Sequence, residues 1–235
     1  MAAIFWKEVK SYFYSPIAYV LIGLFTILTS IFFTFGNLFS QNANLNGILS
    51  NSIYFLSFIL PILTMKIIAE DKKNGTDVLL FTSPVSLASV VIGKFLASYF
   101  VFLVLTGISF VYPIVILAFG GQITPVMVCG YLGFLLLGAA FISVGVFASS
   151  LTESQVVAAI IGIVSLFIMI MAGGISTAVG GTIGKILGWF SLLTRYDDFN
   201  NGILNLSPII YYLSFIVVFL FLTVRVIEKR RWSQG

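Results

Sequence analysis

FLASYFVFLVLTGISFVYPIVILAF, residues 95–119, runs for 25 positions without a charged side chain. About 20 apolar residues are enough for a helix to cross the hydrocarbon core of a bilayer. A helix satisfies its own backbone polar groups there, which an open sheet does not. Five further stretches read the same way: 17–35, 53–69, 126–147, 156–175 and 209–226. Only Lys66 and Arg225 interrupt them, each near a span end. The expected fold is all-α, an integral membrane protein whose six transmembrane helices form a single domain over residues 1–235.

Composition supports this reading. Hydrophobic residues make up 60% of the 235 and charged residues only 9%, whereas soluble domains carry about 25% charged residues. So few charges cannot cover a solvated surface, so most of the surface must face lipid. No stretch outside the apolar runs is long enough to bury a core of its own. The chain has no histidine, the commonest general base and metal ligand, and no catalytic or metal-binding residue is assigned. Its single cysteine, Cys129, lies in an apolar run and reads as a small buried residue. The net charge of +4 is not gathered on a solvated face, so nucleic acid is not an expected partner. Residues 17–35 are too long for a signal-peptide core and lack a small-residue cleavage site after them, so they are expected to stay as a span.

Orientation follows from the basic residues in short loops. With the N-terminus inside, Lys7, Lys10, Lys66, Lys72, Lys73, Lys94, Arg225, Lys229, Arg230 and Arg231 are cytoplasmic, and only Lys185 and Arg195 lie outside. Ten against two places both termini in the cytoplasm. Lys66 and Arg225 are expected to snorkel to the headgroups. Within the spans the polar side chains are mainly Ser and Thr, and no ionisable group lies at mid-membrane. That disfavours an ion-coupled carrier or a charged ion filter. Gly133, Gly138, Ala139, Ala140 and Gly145 read as helix-packing positions in the fourth span.

Four segments outside the spans carry information. Residues 4–14 alternate as an amphipathic helix, with Phe5, Trp6, Val9, Tyr12 and Phe13 on one side, and Ser15-Pro16 ends it. Residues 66–94 form a connection far longer than a simple reversal requires. Within it, Lys72-Lys73-Asn74-Gly75 reads as a helix end with a glycine stop, and Thr76 as the cap of a short apolar helix containing Leu79 and Leu80. Between spans four and five, Thr152 or Ser154 reads as a helix cap, with Glu153 suited to the helix dipole. After span five, Gly173-Gly174 and Gly180-Gly181 precede an interfacial or re-entrant helix. Asp197 and Asp198 there are expected to cap a turn and pair with Arg195. Gly184-Lys185 is not the end of a phosphate-binding loop, because that pattern needs Gly at 179 and Ser or Thr at 186, where the chain has Val179 and Ile186.

KEVKSYFYSP (7–16), AEDKKNGTDVLLFTSPV (69–85), LLLGAAFISVGVFASSLTESQ (135–155) and FLTVRVIEKRRW (221–232) together resemble the permease subunits of type-two (ABC-2) ATP-binding-cassette exporters. The nearest resemblance is to the short gliding-motility-associated and NosY-like permeases, and it covers nearly the whole chain. Asp77 departs from the pattern, where Glu or Ile is commoner. The resemblance implies an elbow helix at 4–14 and a coupling helix in 66–94 that docks on a cytoplasmic ATPase. Glu70, Asp71, Lys72, Lys73, Gly75 and Thr76 would lie at that contact, with Leu79 and Leu80 behind it and Thr152 and Glu153 as a second contact. It implies no cofactor in this chain, with ATP and Mg²⁺ bound by the partner. The working unit would hold an ABC ATPase dimer and a second permease half, identical or different, in the cytoplasmic (inner) cell membrane. The residues alone leave two alternatives open, a membrane scaffold or assembly factor and a secondary carrier.

Overall fold

The structure, a computed structural model, describes residues 1–41, 45–76, 86–122 and 124–233. The described residues form helices α1 (Ala2–Tyr14), α2 (Pro16–Phe33), α3 (Asn46–Thr64), α4 (Lys66–Lys73), α5 (Leu87–Ser109), α6 (Val111–Ala118), α7 (Pro125–Leu151), α8 (Gln155–Val179), α9 (Gly181–Phe190), α10 (Leu193–Asn200) and α11 (Leu206–Ser233). A π-helical turn, Thr34–Leu38, extends α2. No strand occurs among them. Six segments are long and apolar enough to cross a membrane: Pro16–Leu38, Asn46–Lys73, Leu87–Ala118, Pro125–Leu151, Gln155–Val179 and Leu206–Arg230. The second begins earlier than the apolar run at 53 because Asn46, Ser50 and Ser52 find partners inside the protein. The third begins at Leu87 and so takes Lys94 into a helix.

Local chemistry sets the helix starts. Ser15, Ser86, Thr124 and Ser154 each precede a spanning helix and accept a backbone N–H from its first turn. Pro16 and Pro125 occupy the first helical position, where no N–H is needed. Pro113, in the first turn of α6, cannot donate to the carbonyl four residues back, that of Ser109 at the end of α5. The Tyr131 hydroxyl donates to that carbonyl instead, at 3.1 Å.

α7 is the central helix, the most buried of the six spans, packed against α3, α4, α5, α8, α10 and α11. Its glycines explain how so many neighbours fit. A Cβ on Gly133 would lie 2.6 Å from Phe199, one on Gly138 2.2 Å from the Phe102 ring, and one on Gly145 2.1 Å from the Thr64 hydroxyl. Lipid tails are as apolar as leucine, so contact between helices must come from close packing rather than exclusion of water. Phe102 and Phe199 fill the space opposite, and they and α7's own Phe134 and Phe141 are fully buried. α2, α8 and α11 instead turn long rows of Val, Ile and Leu outward.

Gly145→Ala is expected to destabilise the detergent-solubilised protein by about 2 kcal/mol, in the range for an overpacked core. Gly107→Ala, in open space on a lipid-facing surface, should be neutral or slightly stabilising. Equal thermal melting of the two variants would contradict the packing assigned to α7.

Candidate coupling site

α1, α4, the first turns of α5, the last turn of α7, the start of α8 and the end of α11 meet at one end of the bundle. α1 reaches the site because Phe5, Glu8, Val9 and Tyr12 recur at helical spacing. Val9 and Tyr12 are buried, and Phe5 sits edge-on to Phe100 of α5. Trp6 and Phe13 do not share this burial: Trp6 is largely exposed and Phe13 half-buried beside Tyr19. Glu8 lies inside the buried stripe, where a carboxylate needs a cation.

Lys94 is that cation. Its side chain is only 4% exposed, and its Nζ lies 2.8 Å from Glu8 Oε1 and 2.6 Å from Asp71 Oδ2. It also donates to the backbone carbonyl of Ile67 at 2.6 Å. The ammonium thus donates two hydrogen bonds, to Glu8 and Ile67, and forms a close ion pair with Asp71. One lysine thereby ties α1, α4 and α5 together.

The backbone between α3 and α4 is broken at Met65, and side chains of other helices repair it. The Ser149 hydroxyl of α7 donates to the Met65 carbonyl at 2.9 Å and accepts the N–H groups of Ile68 and Ala69 at 3.1 and 3.0 Å. A hydroxyl inserted into the i→i−4 ladder is a known cause of helix bending. Tyr12 of α1 donates to the Leu63 carbonyl at 2.9 Å and shares a hydrogen bond with Ser98. Burial pushes the Tyr12 phenol well above its ordinary pKa, against a smaller lowering by Ser98, so it stays a protonated donor. Lys72 donates to the Ser150 carbonyl. The α3–α4 joint is thus held by α1, α5 and α7 at once.

The expected contact residues divide into two groups. Glu70, Lys73 and Gly75 are exposed, and α4 stops as expected, with Gly75 at φ +68°. Asp71 and Lys72 turn inward to Lys94 and Ser150. Thr76 donates its hydroxyl back to Asp71 Oδ1 at 3.0 Å. Asp77, Leu79 and Leu80, and with them the expected coupling helix, lie outside the described residues. Of the two expected caps, Ser154 caps α8 by accepting the Val157 N–H, while the Thr152 hydroxyl accepts the Ser154 N–H at 3.1 Å in the turn before it. Glu153 pairs with Arg230 of α11 at 2.8 Å.

Two expectations need correction. Lys66 does not snorkel: its ammonium lies 4.7 Å from the centre of the Tyr12 ring and the residue is buried, because that side of the helix faces α1. At the far end, Arg195 does not pair with Asp197 or Asp198. Its guanidinium lies over the Tyr211 ring at 5.4 Å, while Asp198 accepts from Asn205 at 3.3 Å. Sequence reasoning missed Glu8, Lys94, Tyr12 and Ser149 as a set. The available signal was a carboxylate and an ammonium, each on an apolar helical stripe.

Among the described residues no cluster of His, Cys, Asp or Glu could hold a metal ion. The site joins the helices through a buried ion cluster and hydroxyl–backbone hydrogen bonds. An all-α bundle with six helices long and apolar enough to cross a membrane defines a multi-pass membrane protein. The family model described as ABC-2 family transporter protein matches residues 2–233, and the chain belongs to that family. No curated protein matches the sequence significantly.

Removing one partner from a buried ion cluster costs about 3–5 kcal/mol, far more than removing all the charges together. Lys94→Met should therefore lower thermal stability strongly, and the triple variant Glu8→Gln, Asp71→Asn, Lys94→Met should recover most of the loss. A Lys94→Met protein that melts like the parent would contradict the cluster.

Proposed function

We propose that this ABC-2 membrane domain is the permease half of an ATP-driven exporter, and that α4 is the arm through which a separate ATPase moves it. The observation that carries the reading is the α3–α4 joint. α4 continues a spanning helix, presents Glu70, Lys73 and Gly75 outward, and is bonded at its base to α1, α5 and α7. A displacement of α4 would pull all three, so force applied at residues 70–76 would reach the spans as a concerted shift. The chain's own groups offer no source of work. It lacks the spacing of a phosphate-binding loop, and no ionisable group sits at mid-membrane to couple an ion gradient.

In this reading a dimer of cytoplasmic ABC ATPases binds ATP and Mg²⁺ and closes. The 66–94 connection, with Leu79 and Leu80, docks on it, and Thr152 and Glu153 form a second contact near the Glu153–Arg230 pair. A second permease half packs against this one. The outward apolar faces of α2, α8 and α11 are available for that packing and for lipid. The charge asymmetry favours the cytoplasmic membrane with both termini inside. The far end, around α9 and α10, would then face outward, the direction of transport.

Affinity purification of the tagged chain from its native membrane should bring down an ABC ATPase. Gly75→Asp combined with Leu79→Asp should remove it by at least tenfold without changing the melting of the permease. Retention of the ATPase in the double variant, or purification with no ATPase, would favour a scaffold role instead.

A further inference from the structure

α8, α9 and α10 line an open cavity of about 690 Å³ at the end of the bundle opposite the coupling site. The chain doubles back there at Gly180 and Gly181, both with positive φ, so α9 returns along α8. One wall is bare backbone, because Gly180, Gly184 and Gly188 are spaced one helical turn apart and all line the cavity. A Cβ on Gly184 would come within 2.6 Å of the Ser176 carbonyl, so no larger residue lets α9 lie this close.

Lys185 and Arg195, the two basic residues that charge asymmetry alone would exclude from this end, both line this one cavity. No carboxylate lines it, and among the described residues neither cation makes an ion pair. Arg195 Nε is buried and has no hydrogen-bond partner. The guanidinium is held over the Tyr211 ring, and the Tyr211 hydroxyl is fixed in turn on the Trp189 carbonyl at 2.8 Å. Ser176, Thr177 and Thr194 also line it; Thr177 and Thr194 donate their hydroxyls to the Gly174 and Ser191 carbonyls, which leaves Ser176 as the hydroxyl donor. Trp189, 74% exposed, stands at the rim beside exposed Phe190, as interfacial aromatics do at headgroup level.

Two cations without an ion-pair partner, one of them a pre-oriented guanidinium fork, and a hydroxyl donor match a phosphate group. The volume exceeds that of a bare phosphate ion, and the aromatic rim suits an attached apolar tail. We propose that this cavity binds a phosphate group, carried by an anionic membrane phospholipid or as free phosphate, with Lys185 and Arg195 as its charge partners. The site depends on the chain lying in a membrane and not on any ATPase partner, so it stands or falls separately from the exporter reading.

The test uses the purified full-length chain in neutral detergent, with native mass spectrometry and thermal melting as readouts. Phosphatidylglycerol, phosphatidylcholine and inorganic phosphate are titrated separately. Phosphatidylglycerol should be retained and should raise the melting temperature, and phosphatidylcholine should do neither. Lys185→Gln and Arg195→Gln should each weaken binding about tenfold, the lower end for loss of one charge-assisted hydrogen bond. Lys185→Arg should bind like the parent. Lys185 is exposed, so its variants keep the test informative even where Arg195→Gln folds poorly. A matching, variant-sensitive response to millimolar inorganic phosphate would identify a soluble ligand, whereas its absence identifies the lipid. Phosphatidylglycerol binding unchanged by Lys185→Gln, or no response to either phosphate source, would overturn the proposal.

Discussion

The arrangement at one end of this protein depends on a single ammonium group. Lys94 is buried; it donates to Glu8 and to the Ile67 carbonyl and forms a close ion pair with Asp71. A charge withdrawn from water is tolerated only when its partners are complete. Lys94 therefore fixes more than a contact: it fixes the relative positions of α1, α4 and α5, since movement of any one alone would strand a buried charge. Ser149 and Tyr12 do the same for the backbone at the α3–α4 joint, with hydroxyl groups in place of a charge. The backbone groups at the joint are satisfied, so α4 carries on from α3 firmly held, with its exposed end at residues 73–75.

The middle of the bundle obeys a different rule. There the glycines of α7 admit Phe102, Phe199 and Thr64 at distances that no Cβ would permit. The contacts are dispersive and depend on shape, because lipid offers the same apolar surroundings as a neighbouring helix. Many polar groups within the spans are paired across helices, as with Thr29 and Tyr112 at 2.6 Å, or turned back on their own carbonyls, as Thr29 also is on Phe25. The far end returns to polar connection: Asn46 donates to the Asn200 carbonyl at 2.7 Å, and Tyr212 to that of Leu192 at 2.7 Å. A closely packed middle joins two polar ends, an arrangement suited to passing a displacement along the helices.

Much of this was legible in the sequence. Uncharged runs of membrane length give the six helices directly, and the family follows from motifs spread along the chain. The glycine stop at Gly75 and the cap at Ser154 were readable because they depend on local conformation. The ion cluster was not read, since Glu8 and Lys94 are 86 positions apart and no local rule joins them. Lys94 counted as a topological charge, although Val90, Val91, Ala97, Ser98 and Val101 place it on a buried stripe. Lys66 failed as a snorkelling residue for a related reason: an amphipathic helix beside it offered an aromatic face. Arg195 was assigned to neighbouring carboxylates by proximity in sequence, while the fold brought Tyr211 to it from the next helix.

The central claim is that Lys94 holds the projecting arm rigidly to the amphipathic helix. Spin labels at positions 7 and 74, with Cys129 replaced by Ala and the chain reconstituted in lipid, would report the distance between α1 and the end of α4 by pulsed electron paramagnetic resonance. The account predicts one narrow distance distribution when Lys94 is present and a broad or shifted one in Lys94→Met. Identical distributions in the two proteins would contradict it.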